Sequence, residues 1–164
     1  MLRIGPPREK RKRHVTAALT PQARAEKCAQ LMMESDCASR GLDMQICQIS
    51  PGRATLTMTV TDGMLNGHGA CHGGYIFTLA DSAFAFACNT YNQITVAQQN
   101  QITYLAPGIA GDELTATAVE NARVGRSGTY DVTVTNASGQ IIALFRGLSR
   151  TVKGQHFSEN GETS

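Results

Sequence analysis

One stretch leaves this chain few architectures to choose from. Tyr75-Ile76-Phe77-Thr78-Leu79-Ala80-Asp81-Ser82-Ala83-Phe84-Ala85-Phe86-Ala87-Cys88 is rich in Ala, Leu and Phe and has no proline. That composition predicts a helix. The helix is apolar nearly all the way round, so most of its faces must be covered. Asp81 is the only charged residue between Gly73 and Gln93. A carboxylate in such a setting is costly unless it has partners or a task. The rest of the chain must therefore wrap a helix and find a use for one acid.

The wrapping material follows the helix. Ile94 to Leu105, Asp112 to Asn121, Gly128 to Thr135 and Ile141 to Val152 read as four consecutive strands. The second alternates through Leu114, Ala116 and Ala118, the third through Tyr130, Val132 and Val134. Asn136-Ala137-Ser138-Gly139 is a hairpin connection. Before the helix, Thr20 caps a helical stretch from Pro21 to about Ser35, and Ala54 to Val60 alternates as a strand. Short connections favour antiparallel pairing. The expected fold class is α+β, an antiparallel sheet curled around a long central helix.

Residues 1–20 read as a basic tail, 21–153 as one domain and 154–164 as a polar C-terminal tail, frayed from Lys153 onward. The chain is long enough for one domain with a real core. Its formal charge of +2 is unevenly placed, because residues 1–14 hold six Lys/Arg and one acid. Without them the body is acidic, which excludes a general nucleic-acid binder; the basic arm alone would be an electrostatic contact. No apolar run is long enough to span a bilayer. Five cysteines, an odd number without framework spacing, predict reduced thiols and a cytoplasmic protein.

The chemistry centres on Asn66-Gly67-His68-Gly69-Ala70-Cys71-His72-Gly73-Gly74, which enters the helix. Backbone N–H groups at a helix start have no internal partner and face a favourable dipole. Glycine lets a ligand approach them closely, giving an oxyanion site for a carbonyl that gains charge. Asp81 stands eight residues beyond Gly73, about 12 Å along a helix. One helix cannot bring both to one small carbonyl, whereas a second copy packed antiparallel across a two-fold axis can. Asp81 is then a base or a nucleophile. His68, Cys71 and His72 lack a second ligand pair for a metal, so no metal is expected. Cys71 reads as structural, and His72 as fixing the loop by hydrogen bonding.

From Asn66 to Asn89 the chain closely resembles the hot-dog-fold thioesterases, in particular the phenylacetic-acid-degradation branch. The likeness extends through Tyr104-Leu105-Ala106-Pro107-Gly108, Gly111 to Ala116 and Ala143 to Gly147. The resemblance implies hydrolysis of acyl-CoA thioesters, with aromatic acyl groups expected and no cofactor beyond the coenzyme A of the substrate. It implies a dimer with a continuous sheet, and a tetramer as a dimer of dimers. It also implies that Gly73 offers its N–H to the thioester carbonyl and that Asp81 of the partner chain activates water or attacks. Asn66 and His72 would support that site. Gly74 would line it, and Arg123, Gly125, Arg126 and Ser127 resemble the turn that holds the nucleotide. A Ser or Thr helper on the strand after the helix is missing, because Gln98-Gln99-Asn100 stands there. Tyr75, Phe84 and Tyr104 are candidate pocket residues. The rival readings are a hot-dog hydratase or dehydratase, which wants a working His, and a non-catalytic acyl-CoA sensor.

Overall fold

The computed structural model describes residues 18–159, so the basic stretch of residues 1–14 lies outside the described residues. Two helices come first, α1 (Pro21–Ser35) and α2 (Cys37–Gly41), then strands β1 (Gln45–Ser50) and β2 (Arg53–Thr59). A 3-10 turn at Asp62–Met64 leads through the glycine loop into α3 (Gly73–Cys88), and β3 (Thr95–Tyr104), β4 (Glu113–Val124), β5 (Ser127–Thr135) and β6 (Ile141–Thr151) complete the chain. Thr20 caps α1 through its hydroxyl, which accepts from the Ala23 N–H at 3.1 Å. Asp36 ends α1 and caps α2, accepting from the Ser39 N–H at 3.0 Å.

The six strands form one antiparallel sheet in the order β1-β2-β4-β5-β6-β3. Helix α3 connects β2 to β3 and packs against all six strands, so the sheet rolls around it. The period of two in β4 and β5 places Leu114, Ala116, Ala118, Tyr130, Val132 and Val134 on the helix side, all buried. They meet Ile76, Leu79, Ala80, Ala83, Phe84, Phe86 and Ala87 of α3. Alanines on both sides let helix and sheet approach closely. Phe84 sits edge-on to Tyr130 with ring centroids 5.5 Å apart. Gly147 of β6 lies under that ring, where a Cβ would come within 2.8 Å of it. Burying a phenylalanine side chain contributes about 2–3 kcal/mol, so this stack is a large local term.

As expected, α3 is buried on most of its faces, and one face stays half-open. Thr78, Asp81 and Ala85 are only half-buried, and their spacing puts them on one helix face. One departure from the sequence reading is that residues 154–159 are tied down rather than frayed. Asn92, at φ 58, anchors them. Its Oδ1 accepts from the N–H groups of His156 and Phe157, both at 3.1 Å, and its Nδ2 donates to the Phe157 carbonyl at 2.9 Å. Glu159 pairs with Arg24 of α1 at 2.6 Å. No helix among the described residues is long and apolar enough to cross a membrane.

The sheet has two unequal edges. β1 is short and its pairing is interrupted near Cys47. β3 is ten residues long and bonds only to β6. A long edge with unpaired N–H and C=O groups is a template for another strand.

Candidate active site

The glycine loop is held by its own first residue. Asn66 Oδ1 accepts from the N–H groups of His68 at 2.9 Å and Ala70 at 3.3 Å. Gly69 turns the chain at φ 76 and donates to the Asn66 carbonyl at 3.0 Å. Cys71 and His72 are pinned by backbone bonds to Gly108 and Met64, each 2.8 Å. The next residue begins α3, so loop closure fixes where the helix starts.

His72 is the N-cap of α3. Its Nδ1 accepts from the Gly74 N–H at 3.0 Å. That bond commits Nδ1 as an acceptor and uses up the Gly74 amide. The Gly73 N–H, one position earlier, takes no partner among the described residues. The helix dipole and this unpaired donor make Gly73, rather than Gly74, the oxyanion candidate. The Gly73 carbonyl accepts from the Tyr104 hydroxyl at 2.8 Å.

Asp81 lies on the half-open face of α3. Asn100 Nδ2 donates to its Oδ1 at 2.6 Å. Burial pushes the Asp81 carboxyl above the usual carboxylate range, and the Asn100 bond opposes that rise. Sequence reasoning reached Gln98-Gln99-Asn100 without finding which side chain turns inward. The β3–β6 register slips between Ala97 and Gln99, so Gln98 is an extra residue that resets the alternation. Beyond the bulge Asn100 and Ile102 are half-buried, whereas Gln99 and Gln101 are exposed.

One protomer does not unite Gly73 and Asp81. Both stand on α3, eight residues apart, about 12 Å of helical rise. β3 runs alongside in the opposite direction and touches both, Gly73 through Tyr104 and Asp81 through Asn100. Four residues of strand span about 13 Å, which matches the helix spacing.

A cleft of about 820 Å³ opens beside the start of α3, lined by Leu42, Leu65, His72, Gly74, Tyr75 and Thr78 among others. Tyr75 faces it as expected. Phe84 does not; it is a core residue, fully buried under Tyr130. The remaining expected residues lie elsewhere. Arg123 stacks over the Tyr91 ring at 3.6 Å, and Gly125, at φ 59, turns β4 into β5 ahead of Arg126 and Ser127. Tyr91 follows the C-terminal end of α3, so this turn and Gly73 are at opposite ends of the helix. Cys71 is buried and burial pushes its thiol up, which makes it a poor nucleophile. Among the described residues no three His, Cys, Asp or Glu side chains converge as metal ligands do.

Comparison with known proteins gives a consistent set. A model of the thioesterase superfamily matches residues 68–143. The acyl-coenzyme A thioesterase PaaI of Escherichia coli (strain K12) is 45% identical over 126 residues, covering 77% of this chain and 90% of that protein. The solved structure of the E. coli PaaI protein from the phenylacetic acid degradation operon superposes with a TM-score of 0.82 at 43% identity, covering 83% of this chain and 99% of that one. A Streptococcus mutans UA159 protein solved bound to acetyl CoA superposes with a TM-score of 0.66 at 29% identity, over 68% of this chain and 90% of that one.

Proposed function

We propose, for a chain that belongs to the thioesterase superfamily and shares its hot-dog fold and acyl-CoA thioesterase activity, that its substrates are aromatic acyl-CoA thioesters cleaved at sites shared by two subunits. Phenylacetyl-CoA and its hydroxylated forms are the first candidates. The operon of the E. coli relative supports that choice, as does the cleft lined by Leu42, Leu65 and Tyr75 beside Gly73. An aromatic acyl group fits such an apolar, pre-formed cleft.

The observation that carries the two-subunit site is the spacing along β3. Asn100 marks Asp81, Tyr104 marks Gly73, and Ile102 is midway between them. A two-fold axis near Ile102 that pairs the two β3 edges antiparallel sets Asn100 of one subunit opposite Tyr104 of the other. Asp81 of one subunit then approaches Gly73 of its partner, and the half-open faces of the two α3 helices cover each other. A tetramer of two such dimers is part of the same reading, as is a cytoplasmic setting that suits five free cysteines.

In this arrangement the Gly73 N–H bonds the thioester oxygen as it gains charge. Asp81 of the partner subunit takes a proton from water while the water oxygen bonds to the carbonyl carbon. The C–S bond then breaks, the proton passes to sulfur, and the acid and CoA thiol leave with the carboxylate restored. No metal or further cofactor is needed. The β4–β5 turn with Arg123 and Arg126 is the proposed contact for the CoA phosphates. The hydratase reading loses ground because His72 Nδ1 is spent as a helix cap.

The test is thiol release from phenylacetyl-, hydroxyphenylacetyl-, benzoyl- and straight-chain acyl-CoA esters. Aromatic esters should give kcat/KM at least about tenfold above aliphatic ones, the scale of discrimination an apolar pocket supplies. Equal rates across the panel would contradict the aromatic assignment, and tight binding without hydrolysis would favour the sensor.

A further inference from the structure

Asn100 carries a cost that the fold alone does not explain. Its Oδ1 is buried and has no hydrogen-bond partner. A buried acceptor without a donor is unfavourable, and native structures rarely keep one without reason. Leucine has the same branched shape, is somewhat larger, and has no polar atom to strand. What leucine lacks is the other end of the amide, the Nδ2 that donates to Asp81 Oδ1 at 2.6 Å. Among the described residues, no other hydrogen bond reaches that carboxylate.

We infer that Asn100 is a positioning residue for Asp81: its amide holds one carboxylate oxygen and leaves the other aimed along the half-open face of α3. The inference rests on the thioesterase reading above. The surroundings make Asn100 the chief electrostatic control. β3 has no charged residue, and Arg146 and Arg150 of neighbouring β6 are exposed. On α3 itself Cys88 is a further titratable group, its thiol pushed up to about 12 by burial, and on β4 and β5 the Tyr130 hydroxyl donates to Glu120 at 2.6 Å. On the α2 side, Asp36 reaches α3 only through Ser39, whose hydroxyl meets that of Ser82 at 2.9 Å. Burial drives Asp81 toward its neutral form and the Asn100 donor drives it back. A carboxylate kept charged in a poorly hydrated place is what proton abstraction at neutral pH requires.

Asn100→Leu, Asn100→Ala and Asn100→Ser in the full chain test this. The readouts are thermal unfolding, carbon-13 NMR titration of the Asp81 carboxyl, and the pH profiles of kcat and KM. In Asn100→Leu, Tm should hold or rise in acid, where Asp81 is neutral and the stranded acceptor is gone, and fall behind the parent as pH rises and the carboxylate ionises without its donor. The Asp81 titration should move to higher pH, the acid limb of kcat should follow it, and kcat should fall about 10–100-fold with KM little changed. Asn100→Ser, which keeps a donor, should recover part of both shifts. Asn100→Ala decides if the leucine variant does not fold. An unmoved Asp81 titration, or a loss of kcat that leaves the pH profile in place, overturns the inference. The NMR titration needs no turnover, so it decides the role of Asn100 even if no CoA ester is hydrolysed.

Discussion

The Tyr104 hydroxyl donates to the Gly73 carbonyl at 2.8 Å, and a Cβ added at Gly73 would meet the Tyr104 ring at 2.9 Å. The start of α3 is therefore fitted to one aromatic ring on the edge strand, and glycine is required as long as that ring stays. Gly73→Ala should lower kcat/KM by about 100-fold by pushing the two apart. In a Tyr104→Ala background the same change should cost much less. A double-mutant cycle on kcat/KM measures the coupling; additive losses would mean the ring and the helix start act independently.

Asp81→Asn should lower kcat by about 10²–10⁴-fold, the usual contribution of a positioned base. It should also stabilise the protein at neutral pH. Burial raises the folded pKa of Asp81 above its unfolded value, so the ionised group opposes folding at high pH. That penalty fades as pH falls through the folded pKa. Calorimetry should show the variant with the higher Tm at neutral pH and the gap closing in acid. A variant less stable than the parent at every pH would show that the carboxylate serves the fold.

Gly147→Ala tests the core beneath the site. The new methyl group would lie 2.8 Å from the Phe84 ring, which Tyr130 and Phe145 hold in place. Overpacking of this kind costs about 1–3 kcal/mol. Urea unfolding should report that loss, and no change would mean α3 can slide on the sheet.

His156 should make the protein acid-sensitive near its C-terminus. Its Nε2 lies 2.8 Å from Asn89 Oδ1, which already accepts from the Thr95 N–H at 2.9 Å. The imidazole is therefore the donor, and burial lowers its pKa below the ordinary 6.5. Its contribution is complete above the unfolded pKa and is lost as pH falls from there through the lower folded pKa. Denaturant titrations between neutral and mildly acidic pH should show stability falling, and His156→Gln should flatten that dependence.

Much of this fold was legible because its helix and its strands carry different periods. Leu114, Ala116 and Ala118 mark β4 by simple alternation, and the apolar run from Tyr75 marks α3. The strands after α3 begin and end within about three residues of their sequence expectation. What stayed hidden depended on distant contacts. Gln98 bulges because of its pairing with β6, and without that register Asn100 cannot be assigned to a face. Phe84 is an aromatic like Tyr75 in sequence, and only the stack on Tyr130 separates core from cleft. Asn89 and Asn92 look like ordinary turn residues until the C-terminal segment docks on them. The half-open face of α3 was hidden too, since Thr78 and Ala85 carry no signal of exposure by themselves.

The most direct measurement is subunit complementation. Gly73→Pro removes the N–H at a helix position whose backbone accommodates proline, and its ring also crowds Tyr104, so it disables the Gly73 end of its own subunit; Asp81→Asn removes the base. Each homodimer should be nearly inactive. Unfolded together and refolded at equal amounts, half the dimers should be mixed, and each of those carries one intact site, so about a quarter of wild-type activity should return. Activity no greater than the sum of the separate variants, with mixed dimers present by mass spectrometry, would contradict a site shared between subunits.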